Sequence, residues 1–254
     1  MTVEPYSALA AGYDDVMDHV DYDAWAAYLH ALLRRFGGEV DRLVELGGGT
    51  GSLAVRLQPL GDYEYVLTDG APAMLERARK KVDAELETPI PCRQVDFTEA
   101  TLDAVGLSAP ADAVILVYDG LNYLLDESAV ATLFDRIHEL LRPGGLAIVD
   151  QTTPVNSQLQ EGAFIDEGSI DGFSYVRESE YDPATRHHET TFDLVVEGEH
   201  LQERHVQRAY GQEEIRALLD ASPLAVEAAY DGLTSEPAHD ESTRIHWVLR
   251  RPGA

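Results

Sequence analysis

Three carboxylates stand at the ends of successive apolar runs: Glu45 in Leu43-Val44-Glu45-Leu46, Asp69 after Val66-Leu67-Thr68, and Asp96 after Val95. Between the first two lies Gly47-Gly48-Gly49-Thr50-Gly51. Glycines at 47, 49 and 51 let the backbone approach a ligand with no Cβ in the way. The helix expected from about Ser52 offers free N–H groups near its start. Such a loop holds a nucleotide-like ligand. Asp69, roughly 20 residues beyond the loop, is spaced to accept both hydroxyls of a ribose. Asp96 is placed to accept an adenine amino group while the Phe97 ring packs on the base.

The charge pattern narrows the ligand. A dinucleotide fingerprint, G-x-G-x-x-G/A, fails at its third position, Ser52, and a phosphate-binding P-loop needs a lysine that this loop lacks. An acid two residues before the first glycine repels a pyrophosphate and suits a ligand with a positive charge. A second group follows the fourth apolar run: Tyr118, Asp119, Asn122 and Tyr123. Asp119 is placed to orient or deprotonate an acceptor amine, with Asn122 and Tyr123 beside it. The competing reading is that Asp119 and Asn122 shape the turn into the next helix.

Elements that would position these residues alternate along the chain. Apolar side chains at Trp25, Leu29, Leu32, Leu33 and Phe36 have helical spacing, and Gly37-Gly38 is a plausible stop. Strands are expected at 42–46, 63–68, 92–95, 113–117 and 146–150, with helices at 52–60, 72–87 and 128–142 between them. Asp126 or Ser128 can cap the last helix, and Pro143-Gly144-Gly145 ends it. Alternating strands and helices imply a parallel, doubly wound sheet with ligands beyond the carboxyl ends of its strands. After Thr153 the pattern becomes antiparallel: strands at 173–181, 188–196 and 200–209, a helix at 212–219, and strands at 225–230 and 244–250.

The pieces VELGGGTGSLA, LTDGAPAML, QVDF and LLRPGGLAIVD stand in an order and spacing that resembles the class I S-adenosylmethionine-dependent methyltransferases. The likeness covers about residues 40–151. More loosely, YSALAAGYDDVMDHVDYDAWAAYL, YDGLNYLLDE, RHHETTF and RIHWVLRR resemble a bacterial subgroup whose members mostly have no assigned substrate. The resemblance implies a seven-stranded, mostly parallel Rossmann-like sheet with a small antiparallel insertion. It implies that Gly47, Gly49 and Gly51 wrap the methionine part of S-adenosylmethionine above Glu45. Asp69 would hold the ribose, Met74 would lie against the adenine, and Asp96 and Phe97 would contact the base. Tyr13, Val117 and Tyr118 join the cofactor-facing set, and Tyr6 and Tyr13 belong to a segment that closes over the cofactor. Gly48 stands where the family commonly has Cys or Ala, a slot read as permissive. Arg208 and Tyr210 are expected near the cofactor mouth on the subgroup likeness alone.

The implied organisation is an N-terminal helical lid at 1–38, a cofactor-binding core at 39–155, an antiparallel insertion over the active site at 156–210, and a C-terminal part at 211–254 that completes the sheet. The implied reaction is methyl transfer to an N or O atom of a small-molecule acceptor. Methylation of tRNA or protein is the alternative, followed by a nicotinamide-dependent oxidoreductase or an inactive binding module.

Composition bounds the partners. The 254 residues include 46 Asp plus Glu against 19 Lys plus Arg, a formal net charge of −27, and Lys80 and Lys81 are the only lysines. That balance points to a protein made for high salt, where screening shortens the reach of self-repulsion. Phosphate neutralisation needs clustered basic residues, and none is present, which disfavours nucleic acid. No signal-like or membrane-spanning run occurs, and Cys92 is the single cysteine. The chain reads as cytoplasmic, a monomer or homodimer. No metal site is expected: His187 and His188 are adjacent on a strand and so point to opposite faces, and His200 and His205 have opposite parity.

Overall fold

The computed structural model describes residues 1–159 and 164–253. Two helices open the chain, the one-turn α1 (Tyr13–Val16) and α2 (Tyr22–Leu32), whose cap Asp21 accepts from the Ala24 amide. A π-helical turn, Leu33–Gly37, then leads to β1 (Arg42–Leu46). The wound core continues with α3 (Ala54–Gly61), β2 (Glu64–Asp69), α4 (Pro72–Glu85), β3 (Cys92–Gln94), β4 (Ala111–Leu116), α5 (Glu127–Leu140) and β5 (Leu141–Thr152). Next come α6 (Pro154–Leu159) and four long strands, β6 (Phe164–Ile170), β7 (Phe173–Asp182), β8 (His187–Val196) and β9 (Glu199–Arg208). Helix α7 (Gln212–Asp220) and strands β10 (Ala225–Asp231) and β11 (Arg244–Arg250) follow.

Seven strands form one sheet in the order β10-β11-β5-β4-β1-β2-β3. All neighbours are parallel except β11, which runs antiparallel between β5 and β10. Strand order reverses between β1 and β4, so the crevice for a ligand opens at the carboxyl ends of those two strands. The central strands are buried on both faces: Leu43, Val44, Val114 and Ile115 are fully covered, as parallel strands between helical layers must be. One layer contains α5 and α7, the other α2, α3 and α4.

Helix α2 and the turn after it pack into this second layer, with Trp25, Leu29 and Leu33 buried in its core, and Tyr22 and Trp25 of the same helix also border the cavity over the strand ends. In residues 1–20, Leu9 and Val16 pack on Phe173, Phe192 and Leu194 of the second sheet. Three expectations need correction. Helix α5 stops at Leu140 rather than Arg142. Pro143 disfavours α geometry at Arg142, and the chain turns extended one residue earlier, at Leu141, which pairs with Ala111. The antiparallel sheet has four strands, β6-β7-β8-β9, not three; β6 forms its outer edge on β7. Helix α6 was also not expected.

Candidate active site

A cavity of about 490 Å³ lies over the carboxyl ends of β1, β2 and β4. Glu45, Gly47, Gly49, Asp69, Met74, Asp96, Phe97, Val117, Tyr118 and Tyr13 all line it. Four carboxylates face it, Glu4, Glu45, Asp69 and Asp96, and among the described residues no lysine, arginine or histidine does. Tyr6, Tyr22 and Trp25 join Met74 and Phe97 on the wall, and Thr50 and Ser52 add hydroxyls beside the glycine loop. A pyrophosphate has no counter-charge in such a site. A cation finds both carboxylates and ring faces.

The glycine loop is built around Asp69. Its Oδ2 accepts the Gly49 amide and its Oδ1 the Ala71 amide, both at 2.8 Å, so one carboxylate ties the loop to the start of α4. Each oxygen retains a second lone pair. Burial raises the Asp69 pKa, the two amides oppose that, and nearby Asp96 adds to it. Asp96 receives the Thr98 amide at 2.8 Å and hydroxyl at 2.6 Å, so it shapes its own turn as well as the cavity wall.

Gly51 falls outside the cavity. It has φ +80°, and a Cβ there would sit 3.4 Å from Ala78 of α4, so its smallness seats the loop on that helix. Gly48 is the tight position, not a permissive one: a Cβ would lie 2.6 Å from Cγ of Leu67 and 3.0 Å from Oε2 of Glu45. That oxygen accepts the Tyr65 hydroxyl at 2.8 Å. Burial pushes the Glu45 carboxyl up to about 7 against the Tyr65 bond, with Asp69 adding to the rise.

Asp14 of α1 holds the N-terminal segment onto the same loop. Its Oδ1 accepts from Thr50 at 2.6 Å and Ser52 at 3.1 Å, and its Oδ2 meets Nζ of Lys81 at 2.7 Å.

A second cavity of about 310 Å³ lies between this junction and the four-stranded sheet. Tyr6, Tyr13, Tyr118 and Tyr123 line both cavities and form the wall between them. The second wall carries Asp119, Arg177, His188, His205 and Arg244, together with Ser157, Ser179 and Thr190.

Tyr118 and Asp119 have φ of +67° and +69°, left-handed geometry that costs a non-glycine residue energy. The strain is held by burial and charge. The Asp119 amide donates to Oδ1 of Asp150 at 3.0 Å, and Asp119 Oδ1 lies 2.5 Å from Nη1 of Arg244, which also pairs with Asp150. The approach of Arg244 is ionic and off hydrogen-bond alignment, which leaves Asp119 Oδ1 with no aligned donor. Burial raises the Asp119 pKa, Arg244 opposes this and Asp150 reinforces it. The two acids and one guanidinium carry a net negative charge at the cavity wall when both acids are ionised.

Asn122 lines the second cavity beside Asp119 and Tyr123, but its amide is engaged by the backbone. Its Nδ2 donates to the carbonyls of Thr152 (3.0 Å) and Arg208 (2.8 Å), and its Oδ1 accepts the Thr152 amide at 3.0 Å. No N–H remains for a ligand. The side chain stitches β5 to β9 beneath the site. Tyr123 keeps its hydroxyl in the cavity, 2.5 Å from that of Tyr6 and 3.0 Å from Nδ1 of His205.

Arg208 and Tyr210 line neither cavity. Arg208 pairs with Glu127 and Glu214 and lies over the Tyr210 ring, whose hydroxyl is bonded to the Leu124 carbonyl. Among the described residues no group of three or more His, Cys, Asp or Glu is arranged to hold a metal ion.

Sequence reasoning missed Glu203 and the role of His205, Arg244 and Trp25. Glu203 stands among the charged and polar residues of β9 and Arg244 is the first residue of β11, so no local pattern set either apart.

A model of the methyltransferase domain matches residues 43–145. YqeM of Bacillus subtilis (strain 168), provisionally named a methyltransferase, is 30% identical over 251 residues, 97% of each chain. A solved S-adenosylmethionine-dependent methyltransferase from Clostridium acetobutylicum ATCC 824 superposes with a TM-score of 0.81 at 20% identity, covering 98% of this chain and 99% of its own. The sugar N-methyltransferase KedS8 from Streptoalloteichus sp ATCC 53650 gives 0.74 at 19% identity, covering 94% and 92%. The chain belongs to the class I S-adenosylmethionine-dependent methyltransferases. It is an enzyme of that class, with S-adenosylmethionine as its cofactor.

Proposed function

We propose that the enzyme methylates an N or O atom of a small polar acceptor seated in the 310 Å³ cavity under the four-stranded sheet. The observation that carries this reading is the shared tyrosine wall between a carboxylate-lined cavity and a polar one. The cofactor supplies an electrophilic methyl group on a cationic sulfur. The acid-lined first cavity fits that charge, and its residues divide the binding. Asp69 takes the ribose hydroxyls on its spare lone pairs. Met74 and Phe97 enclose the base with Asp96 at its edge, and Glu45 lies beneath the loop of Gly47 and Gly49.

In the second cavity Asp119 orients the acceptor, and Tyr123 and Tyr6 present hydroxyls at the junction. The protein's work is positioning and electrostatics. Hydroxyl-bearing side chains such as Ser157, Ser179 and Thr190 suit a polyhydroxylated amine, and the neighbour KedS8 is named a sugar N-methyltransferase. Acceptors that bring their own phosphate chain find a surface of the same sign, so a small molecule is favoured over tRNA.

Titration calorimetry with S-adenosylmethionine and with NAD tests the first cavity: binding of the first alone is expected, and binding of NAD alone rejects the reading. Transfer of a tritiated methyl group is then measured to hexosamines, amino acids, apolar phenols and bulk tRNA. Label in a hexosamine or other hydroxylated amine is the expected result, and label only in tRNA overturns it.

A further inference from the structure

The hydrogen-bond chain that starts at the tyrosine junction ends on a carboxylate that the reading above does not use. Glu203 of β9 is fully buried. Its Oε1 accepts the amides of Ala8 (2.5 Å) and Leu9 (2.8 Å), and its Oε2 accepts the amide of Tyr6 (2.7 Å). The same Oε2 lies 3.1 Å from Nε2 of His205. Burial works against the charge on Glu203, but His205 and the three amides outweigh it and lower its pKa. Burial, with their mutual contact, keeps Tyr6 protonated, and burial does the same for Tyr123.

With the imidazole neutral, these contacts admit one orientation for every proton in the chain. An ionised carboxylate only accepts, so Nε2 of His205 carries the imidazole hydrogen. Nδ1 is then bare and accepts from the Tyr123 hydroxyl at 3.0 Å. A phenol has one hydrogen, so with it given to Nδ1 the Tyr123 oxygen accepts from Tyr6 at 2.5 Å. Tyr6 is left with its own oxygen as an acceptor, on the wall that both cavities share.

We propose that His205, fixed by Glu203, is the terminal base of a relay that removes the acceptor's proton through Tyr6 and Tyr123. The proposal rests on the methyltransferase reading. The acceptor's N–H or O–H proton passes to the Tyr6 oxygen, the Tyr6 proton to Tyr123, and the Tyr123 proton to Nδ1 of His205. The acceptor heteroatom keeps the pair of its broken bond to hydrogen and forms the bond to the methyl carbon, and the pair of the broken carbon–sulfur bond stays on sulfur. Both phenols end neutral, and the imidazolium lies beside Glu203.

Because Glu203 also holds the amides of residues 6, 8 and 9, the relay is continuous only when the N-terminal segment is docked. Glu203 is thus a positioning residue in two senses, for the tautomer and for the segment. Other ionisable groups on the cavity wall are Asp119 and Arg244 at one side, Arg177 and His188 from β7 and β8, and His19 after α1.

Nitrogen-15 NMR of histidine-labelled enzyme, with S-adenosylmethionine added, reads the imidazole directly and needs no acceptor. Single substitutions assign the nine histidines. The expected result is a neutral His205 bearing its hydrogen on Nε2, lost or mixed in Glu203→Gln, with a displaced Nδ1 signal in Tyr123→Phe. An Nδ1–H tautomer in the wild type overturns the proposal even if the acceptor class is right. On any acceptor found above, Tyr123→Phe and His205→Asn should each lower kcat on the order of 100-fold and remove the acid limb of its pH profile, with KM for S-adenosylmethionine unchanged in His205→Asn, whose site lines only the second cavity. An unaltered pH profile overturns it.

Discussion

Asp69 and Glu45 are both buried acids near the glycine loop, and their surroundings give them different tasks. Asp69 is held by two loop amides and keeps lone pairs toward the cavity. Two charged hydrogen bonds to a ligand imply that Asp69→Ala weakens S-adenosylmethionine binding by about 2–4 kcal/mol; Asp69→Asn preserves size and separates charge from loop shape. Unchanged affinity by calorimetry rejects the ribose role. Glu45 has a folded pKa near 7, above its ordinary value. A raised carboxyl favours the fold while protonated, so its contribution is complete below about pH 4.5 and is lost as pH rises through 7. The stability of the wild type relative to Glu45→Gln should therefore fall between those pH values, by about 3 kcal/mol. Urea titrations across that range measure it, and a pH-independent difference contradicts the assignment. The acid positions were legible because each ends an apolar run. Their partners were not: Tyr65, Arg244 and Glu203 meet their acids or amides across 20, 125 and 195 residues of chain.

At the scale of elements, Asn122 joins three parts of the chain through one amide. Asn122→Ala leaves buried carbonyls and an N–H of β5 and β9 without partners, each costing about 1–3 kcal/mol. The expected outcome is a stability loss of roughly 3 kcal/mol or more in urea unfolding, with affinity for S-adenosylmethionine retained. A stable variant that fails in methyl transfer alone would restore the catalytic role. The wound strands and helices were readable because period and turn chemistry agree there. Asp126 caps α5 as expected, and β11 spans residues 244–250 as read. Strand β6 was not readable because its sequence, FIDEGSI, mixes charge, glycine and apolar residues without strict alternation, and its pairing with β7 decides its conformation. The double part of α2 was unreadable for a related reason: an apolar helical stripe looks the same whether it covers a ligand or a sheet, and here it borders both.

At the scale of the whole molecule, a net charge of −27 repels itself at low salt. Its melting temperature should rise from low to molar KCl as screening shortens that repulsion, and a flat curve removes the case for a high-salt protein. Against this acidic background two of the 19 basic residues, Arg177 and Arg244, line the second cavity, and Lys81 ties α1 to the glycine loop. The sequence by itself determined the wound sheet, the glycine loop and the acids at its strand ends, because those depend on local period, turn residues and short spacing. It took the packing of the two sheets to place the second cavity, to spend the Asn122 amide on β5 and β9, and to bring Glu203 and His205 to the tyrosine junction. Those outcomes depend on seating a distant antiparallel sheet over the strand ends, and no local pattern in a chain encodes which side chains then meet.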